Sequence, residues 1–245
     1  MAQVNSVSSR DDLSHMQIGW IIMVSKKYPR SMHFKFSPGA TSDDKVMNDE
    51  DYESLIGHTL VYTEKLDGSN VCLTGEKIFS RSHAGPPSHV SFGPLKKFHE
   101  CIRHSIDPGI SVFGEWCYAL HSIQYGMLQH HLNIFGVRED KTGKWWDWDE
   151  VEVMAKYLEV PTAPVILIGA VNNKESLEKN INLLANLSSV YGPNREGLVV
   201  RKVAGVHDDG SKLHGLGKWV RANHVQTSVH WRKQKVVVQP AINRI

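Results

Sequence analysis

A lysine at the end of an apolar strand and beside a tight turn can act as a nucleophile once it sheds its proton. Lys65 has that setting, in the run Glu64-Lys65-Leu66-Asp67-Gly68-Ser69-Asn70. Burial or nearby cations would lower its pKa toward neutrality and expose the amine lone pair. Standing alone, K-x-D-G is short and more often marks a hairpin turn than a reaction centre. Two carboxylates interrupt other strand-like stretches: Glu115 in Phe113-Gly114-Glu115-Trp116, and Glu196 at the head of Glu196-Gly197-Leu198-Val199-Val200-Arg201. Further on, Lys218 and Arg221 flank Trp219 and Val220. A glutamate in a strand usually sits on the wet face, so none of these is informative alone. Their order and separation carry the weight.

The elements that must position them are readable. Residues 60–81 alternate strand formers (Val61, Tyr62, Thr63, Val71, Leu73, Ile78, Phe79) with breaks at Asp67-Gly68 and Gly75, giving strand, turn, strand, turn, strand. Leu95, Phe98 and Ile102 fall at helical spacing within 94–105. Strands follow at Ser111–Trp116 and Leu132–Val137. Asp149 is placed to cap a helix reaching Leu158, with Val151, Met154, Ala155 and Leu158 on its inner stripe. A second helix spans Lys174–Leu187, and strands at Gly197–Val203, Lys218–Ala222 and Val236–Val238 close the chain. Strands with helices inserted between them predict an α+β fold built on antiparallel sheets. No Gly/Pro/Ser-rich linker divides it, and the expected division is an N-terminal segment over 1–25, one domain over 26–225 and a short basic tail over 226–245.

In this order, K-x-D-G, G-E, E-G-x-x-x-R and K-W-V-R resemble the motif series of the covalent nucleotidyltransferases: ATP-dependent DNA ligases, RNA ligases and GTP-using capping enzymes. The Ser69-Asn70 pair resembles the E-K-x-[DH]-G-[ST]-N signature of RNA ligases, where DNA ligases and capping enzymes usually carry an arginine in place of Asn70. The stretches Lys26–Gly39, Gly114–Tyr125 and Gly217–Trp231 are similar to stand-alone bacterial and phage RNA ligases. The resemblance implies an ATP-grasp-like ligase adenylyltransferase core and a lysyl-AMP intermediate on Lys65, with ATP as co-substrate and Mg²⁺ or Mn²⁺ as cofactor. It implies RNA ends or a nicked duplex as the partner. The rival readings are an ATP-dependent DNA ligase, a capping guanylyltransferase and an inactive nucleic-acid end-binding protein.

Roles follow from that resemblance position by position. Lys65 would be the nucleophile, Glu64 would lie near the adenine, and Asp67 and Asn70 would order the lysine and a metal-bound water. Arg81 falls where the family has an arginine near the phosphate and acceptor end. Glu115 would take the ribose hydroxyls, Phe135 would stack on adenine, Glu196 would hold the divalent cation and Lys218 the α-phosphate. Arg201, Arg221, Arg81 and Lys233 are the candidates for nucleic-acid contact. Two departures stand out. Val220 occupies a place where relatives carry a second cation, and strand alternation turns Arg221 to the other side. Gly136 follows Phe135 where many relatives have an aspartate.

The bulk numbers agree with a soluble enzyme. With 41% hydrophobic and 22% charged residues, wholesale disorder is excluded. No run of about 18 apolar residues predicts a membrane span, and the N-terminus does not read as a signal peptide. Cys72, Cys101 and Cys117 form no C-x-x-C pair, which fits a reducing cytoplasm. From Arg201 onward nine Lys and Arg stand against Asp208 and Asp209, in a chain whose net charge is only +2. A basic end on an acidic body suits phosphates, as does a solvated tail. Only 24 residues follow Arg221, too few for an OB-fold, so substrate binding by such a domain would fall to a partner protein. His230, Trp231, Arg232, Lys233 and Lys235 fit either nucleic-acid contact or packing on the core. The Trp145-Trp146-Trp148 cluster reads as a loop packed on the body.

Overall fold

The computed structural model describes residues 27–81, 86–210, 212–222, 232 and 234–243. The element order is β1 (Met32–His33), α1 (Asp49–Glu53), β2 (His58–Lys65), β3 (Ser69–Leu73), β4 (Ile78–Ser80), α2 (Gly93–Ile102), β5 (Ile110–Trp116), β6 (Leu132–Glu139), α3 (Trp148–Tyr157), β7 (Val165–Val171), α4 (Lys174–Ala185), β8 (Gly197–Lys202), β9 (His207–Asp208), β10 (Leu213–His214) and β11 (Leu216–Val220). The fold is α+β. A five-stranded sheet runs β1-β11-β8-β2-β7, a four-stranded sheet runs β4-β3-β5-β6, and β9 pairs with β10. All pairings are antiparallel except the short β1–β11 contact.

Alternation along the strands sends each sheet's two faces to different tasks. In the larger sheet Leu60, Tyr62, Leu198 and Val200 point to one side and are buried with Leu177, Ile181 and Leu184 of α4. The opposite face carries Thr63, Lys65, Val199, Arg201 and Lys218. In the smaller sheet Val71, Leu73, Val112, Trp116, Leu132, Ile134 and Val137 are buried with Leu95 of α2 and with Val151, Met154 and Ala155 of α3. That leaves Asn70, Glu115 and Phe135 on the other side. The two polar faces look at each other.

Several boundaries differ from the sequence reading. The cap of α3 is Asp147, not Asp149: Asp147 and Glu150 form a reciprocal capping box, which lets Trp148 enter the core fully buried. Trp145 is buried too, so this cluster packs on the body. Strand β7 was not anticipated. The expected strand over Val236–Val238 does not form; the segment makes a single isolated bridge, Val238 to Ala119. Its partner is a loop, which cannot present a continuous ladder. The last long strand is Leu216–Val220 rather than Lys218–Ala222. The expectations for residues 1–26, and those for His230, Trp231 and Lys233, lie outside the described residues.

Candidate active site

Between the two polar faces lies a cavity of about 810 Å³. Thr63, Lys65, Val199, Arg201, Leu216 and Lys218 line it from the larger sheet, and Asn70, Glu115 and Phe135 from the smaller. Register explains the assembly. Lys65 sits opposite Gly197 on β8, so Glu196, one residue earlier, comes alongside the lysine. Lys218 sits opposite Val199, and Arg221 N–H donates to the Glu196 carbonyl at 3.0 Å, fixing the residue that β8 begins beside. Gly197 is required here by space: a Cβ would lie 2.0 Å from the Trp219 carbonyl oxygen. Asn70 pairs with Glu115, which therefore faces the same cavity.

The Lys65 ammonium donates to Glu196 Oε2 at 2.8 Å. Burial alone would depress its pKa, but the carboxylates of Glu196, Glu115 and Asp67 outweigh burial and hold it above the ordinary lysine value. This corrects the expectation of a lysine already lowered toward neutrality. Glu115 is pushed up to about 8, chiefly by burial, with Lys65 opposing and Glu196 adding to the rise. Lys218 is lowered by burial and then by Lys65, against Asp44 at 3.8 Å. His33, behind Lys218, is lowered to about 4 by burial and by Lys218. The resting arrangement is an ion pair with a second lysine beside it.

The Asp67-Gly68 turn is held from outside. Asp67 Oδ2 accepts from the backbone N–H groups of Ser122 and Ile123, both at 2.7 Å. The Asp67 N–H donates to the Tyr125 hydroxyl at 2.8 Å. Gly68 N–H donates to Glu115 Oε1 at 3.2 Å, and a Cβ at Gly68 would meet the Trp116 carbonyl oxygen at 2.7 Å. The turn that follows Lys65 is thus clamped between a carboxylate of the cavity and the loop after β5.

These features agree with a family assignment. The family model described as RNA ligase matches residues 58–220, from the start of β2 to the end of β11. The chain belongs to the RNA ligase family. Solved structures with the same fold include a mutant RNA ligase of Naegleria gruberi with ATP and Mn, at 15% identity and a TM-score of 0.56, covering 82% of this chain and 61% of that one. The same ligase with PPi matches at 14% identity and a TM-score of 0.57, covering 86% and 61%. An archaeal ATP-dependent RNA ligase matches at 12% identity and a TM-score of 0.53, covering 80% and 48%. The chain therefore spans about three fifths or less of the length of these structures. Comparison with curated protein sequences gave no significant match.

In this RNA ligase family member Phe135 owes its position to a bulge. Gly114 pairs with Ile134 and Phe113 with Gly136, so Phe135 is the extra residue and is turned into the cavity. Arg201 donates to the Phe135 carbonyl and lies 5.0 Å from the Trp148 ring. With 2% exposure, Arg201 braces Phe135 from below while lining the cavity. Its Nε and Nη2 have no hydrogen-bond partner among the described residues. Tyr28 packs edge-on against Phe135 with centroids 5.0 Å apart. The missing side chain at Gly136 leaves room for Tyr28 and for Trp145, whose ring would lie 3.3 Å from a Cβ there.

The remaining expected residues divide. Arg81 is exposed and lines the cavity. Arg221 does not line it. Glu64 is 1% exposed, and alternation turns it away from Lys65. Its carboxylate accepts from the Ser189 hydroxyl at 2.5 Å and from Val190 N–H at 2.9 Å, with Arg195 at 3.5 Å. That carboxylate is committed to the 189–195 loop, while Glu64 itself is one of the residues lining the cavity next to Lys65. Sequence reasoning missed Tyr28, Lys27, Arg30 and Lys45, which also line the cavity. For Lys27, Tyr28 and Arg30 the signal was the Lys26–Gly39 stretch, noted only for its resemblance; Lys45 lies beyond it.

Among the described residues no three His, Cys, Asp or Glu side chains form a metal-binding group. The hard oxygens of Asn70, which lines the cavity, and of Glu196, which reaches Lys65 there, fit a cation such as Mg²⁺ that keeps most of its coordination for water and substrate phosphates. No helix among them is long and apolar enough to cross a membrane.

Proposed function

We propose that this chain is an ATP-dependent RNA ligase that works through a lysyl-AMP on Lys65. The observation that carries the reading is the ion pair of Glu196 with Lys65, which lines the cavity together with Lys218 and Glu115. Phe135 offers a face for adenine, Glu115 a partner for ribose hydroxyls, and Lys218 a fixed cation for the α-phosphate. The Lys65 ammonium first gives up one proton; the amine nitrogen then bonds to Pα as the bond from Pα to the pyrophosphate oxygen breaks, and a second proton leaves the nitrogen to give the neutral phosphoramidate. A divalent cation held at Glu196, directly or through water, would offset triphosphate charge and compete with Lys65 for the carboxylate. AMP then passes to a 5′-phosphate oxygen, breaking the N–P bond. A 3′-hydroxyl oxygen attacks that 5′-phosphate, AMP leaves, and the strand is sealed. Arg81 at the cavity mouth is the candidate for meeting the RNA end.

The test is incubation with α-labelled ATP and Mg²⁺ or Mn²⁺, followed by denaturing electrophoresis. A covalent adenylate is expected on the parent and absent from Lys65→Ala. Lys65→Arg should also fail, because a guanidinium stays protonated. No adenylate by mass spectrometry, or adenylate on another residue, would overturn the reading. Sealing of nicks with RNA or DNA on each side separates an RNA ligase from a DNA ligase.

A further inference from the structure

Residues 234–243 run along the outside of the loop between β5 and β6. Leu120 N–H donates to the Val237 carbonyl at 2.8 Å, Gln239 N–H to the Tyr118 carbonyl at 2.9 Å, and Ile242 N–H to the Leu128 carbonyl at 2.8 Å. At the centre of this strap Gln239 is buried, with 2% exposure. Its Oε1 accepts from Tyr125 N–H at 2.7 Å and its Nε2 donates to the Cys117 carbonyl at 3.3 Å. Its own carbonyl accepts from His131 Nε2 at 2.8 Å. One glutamine therefore ties three separate points of the loop.

That loop grips the turn beside the nucleophile. Tyr125, fully buried, receives the Asp67 N–H on its hydroxyl, and the N–H groups of Ser122 and Ile123 hold the Asp67 carboxylate. Asp67 lies two residues after Lys65. A surface strap needs no buried amide to stay in place; a buried glutamine whose two ends are spent on the loop's backbone fixes where that loop sits.

We infer that Gln239 is a positioning residue for adenylyl transfer, acting through Tyr125 on the Asp67-Gly68 turn and so on the aim of Lys65. Gln239 touches neither Lys65 nor any group lining the cavity around it; its effect passes through two hydrogen bonds in series. The strap is a working part of the catalytic domain. This inference rests on the lysyl-AMP reading above.

The experiment is a double-mutant cycle on the full chain with Gln239→Leu and Tyr125→Phe, reading the single-turnover rate of lysyl-AMP formation at saturating ATP. Each single variant is expected to slow adenylylation about 10- to 100-fold, as a small misalignment of reacting groups does. Apparent ATP affinity should change less than about threefold, since neither side chain reaches the nucleotide. The double variant should be little slower than the worse single one, because both break the same chain of contacts. Tyr125→Phe removes one hydroxyl and keeps the test alive if Gln239→Leu does not fold. If the parent forms lysyl-AMP and either variant keeps its rate, or if the two losses multiply, this inference falls while the proposed function stands. A parent that forms no lysyl-AMP removes both.

Discussion

Replacing Glu115 with glutamine makes the stability of the ligand-free protein less dependent on pH. Burial holds the Glu115 pKa at about 8 instead of 4.5. The unfolded chain therefore gives up this proton well before the folded one does. The stability tied to it is fully present below about pH 4.5 and is lost as pH rises through 8. Each pH unit in that window costs the fold about 1.4 kcal/mol, or about 5 kcal/mol across it. Glu115 is only partly buried, and solvent screening at the cavity reduces this to roughly 2–3 kcal/mol. Glu115→Gln has the same shape, can still accept from Gly68 N–H and has no proton to lose. Urea unfolding followed by tryptophan fluorescence, without ATP or metal, should give equal stabilities at pH 5. By pH 9 the variant should be the more stable by about 2–3 kcal/mol. A difference that stays constant with pH, or a variant weaker than the parent at pH 9, would show that Glu115 is not held protonated by burial.

Two further stability tests follow. Glu64→Leu strands the buried Arg195 cation and should cost about 3–5 kcal/mol in urea unfolding, whereas the double variant Glu64→Leu/Arg195→Met should recover most of that loss; a Glu64→Leu protein of parental stability would contradict the brace described above. Gly197→Ala should cost about 1–3 kcal/mol or more, because its Cβ meets the Trp219 carbonyl oxygen, while Gly169→Ala on edge strand β7, with nothing within 4 Å of the added carbon, should be neutral or mildly stabilising by thermal melting.

Much of the site was legible because its residues are close to turns and strand ends, where local signals are strong. The Asp67-Gly68 break fixed the end of β2, and E-G at Glu196-Gly197 marked the start of β8. Alternation from Lys218 already turned Arg221 away from the cavity. What failed to show was the long-range part. Strand β7 has an unbroken apolar run, Val165–Val171, between Pro164 and Asn172, and its partner β2 lies about a hundred residues away. The α3 cap was ambiguous locally, since both Asp147 and Asp149 are followed three residues later by glutamate. Burial of Trp148 decides between them, and only the folded core shows it. The contacts of the Glu64 carboxylate with Ser189, Val190 and Arg195 were not legible, because they join residues more than a hundred positions apart. Arg201 was read by its charge, although the same alternation that points it toward the cavity also places it over Trp148.

The electrostatics of Lys65 carry a consequence for how the site rests and works. A buried lysine without a partner would destabilise the fold or lose its proton. This one is paired with Glu196, so the ligand-free protein is stable with Lys65 protonated. Lys218, forced close to Lys65 by the β8 register, pushes the other way, as the lowering of its own pKa shows. Glu115 and Asp67 add to the hold on the ammonium from farther away. Among the carboxylates that hold the proton on Lys65, Glu196 is the largest contributor and the one in direct contact. A ligand that engages Glu196 weakens the main interaction that holds the proton on Lys65, while Lys218 remains in place to favour its release. On the proposed mechanism, activation of the amine is thus drawn from the binding of the reactants. A lysine already neutral in the resting protein would leave the Lys65–Glu196 pair without a purpose.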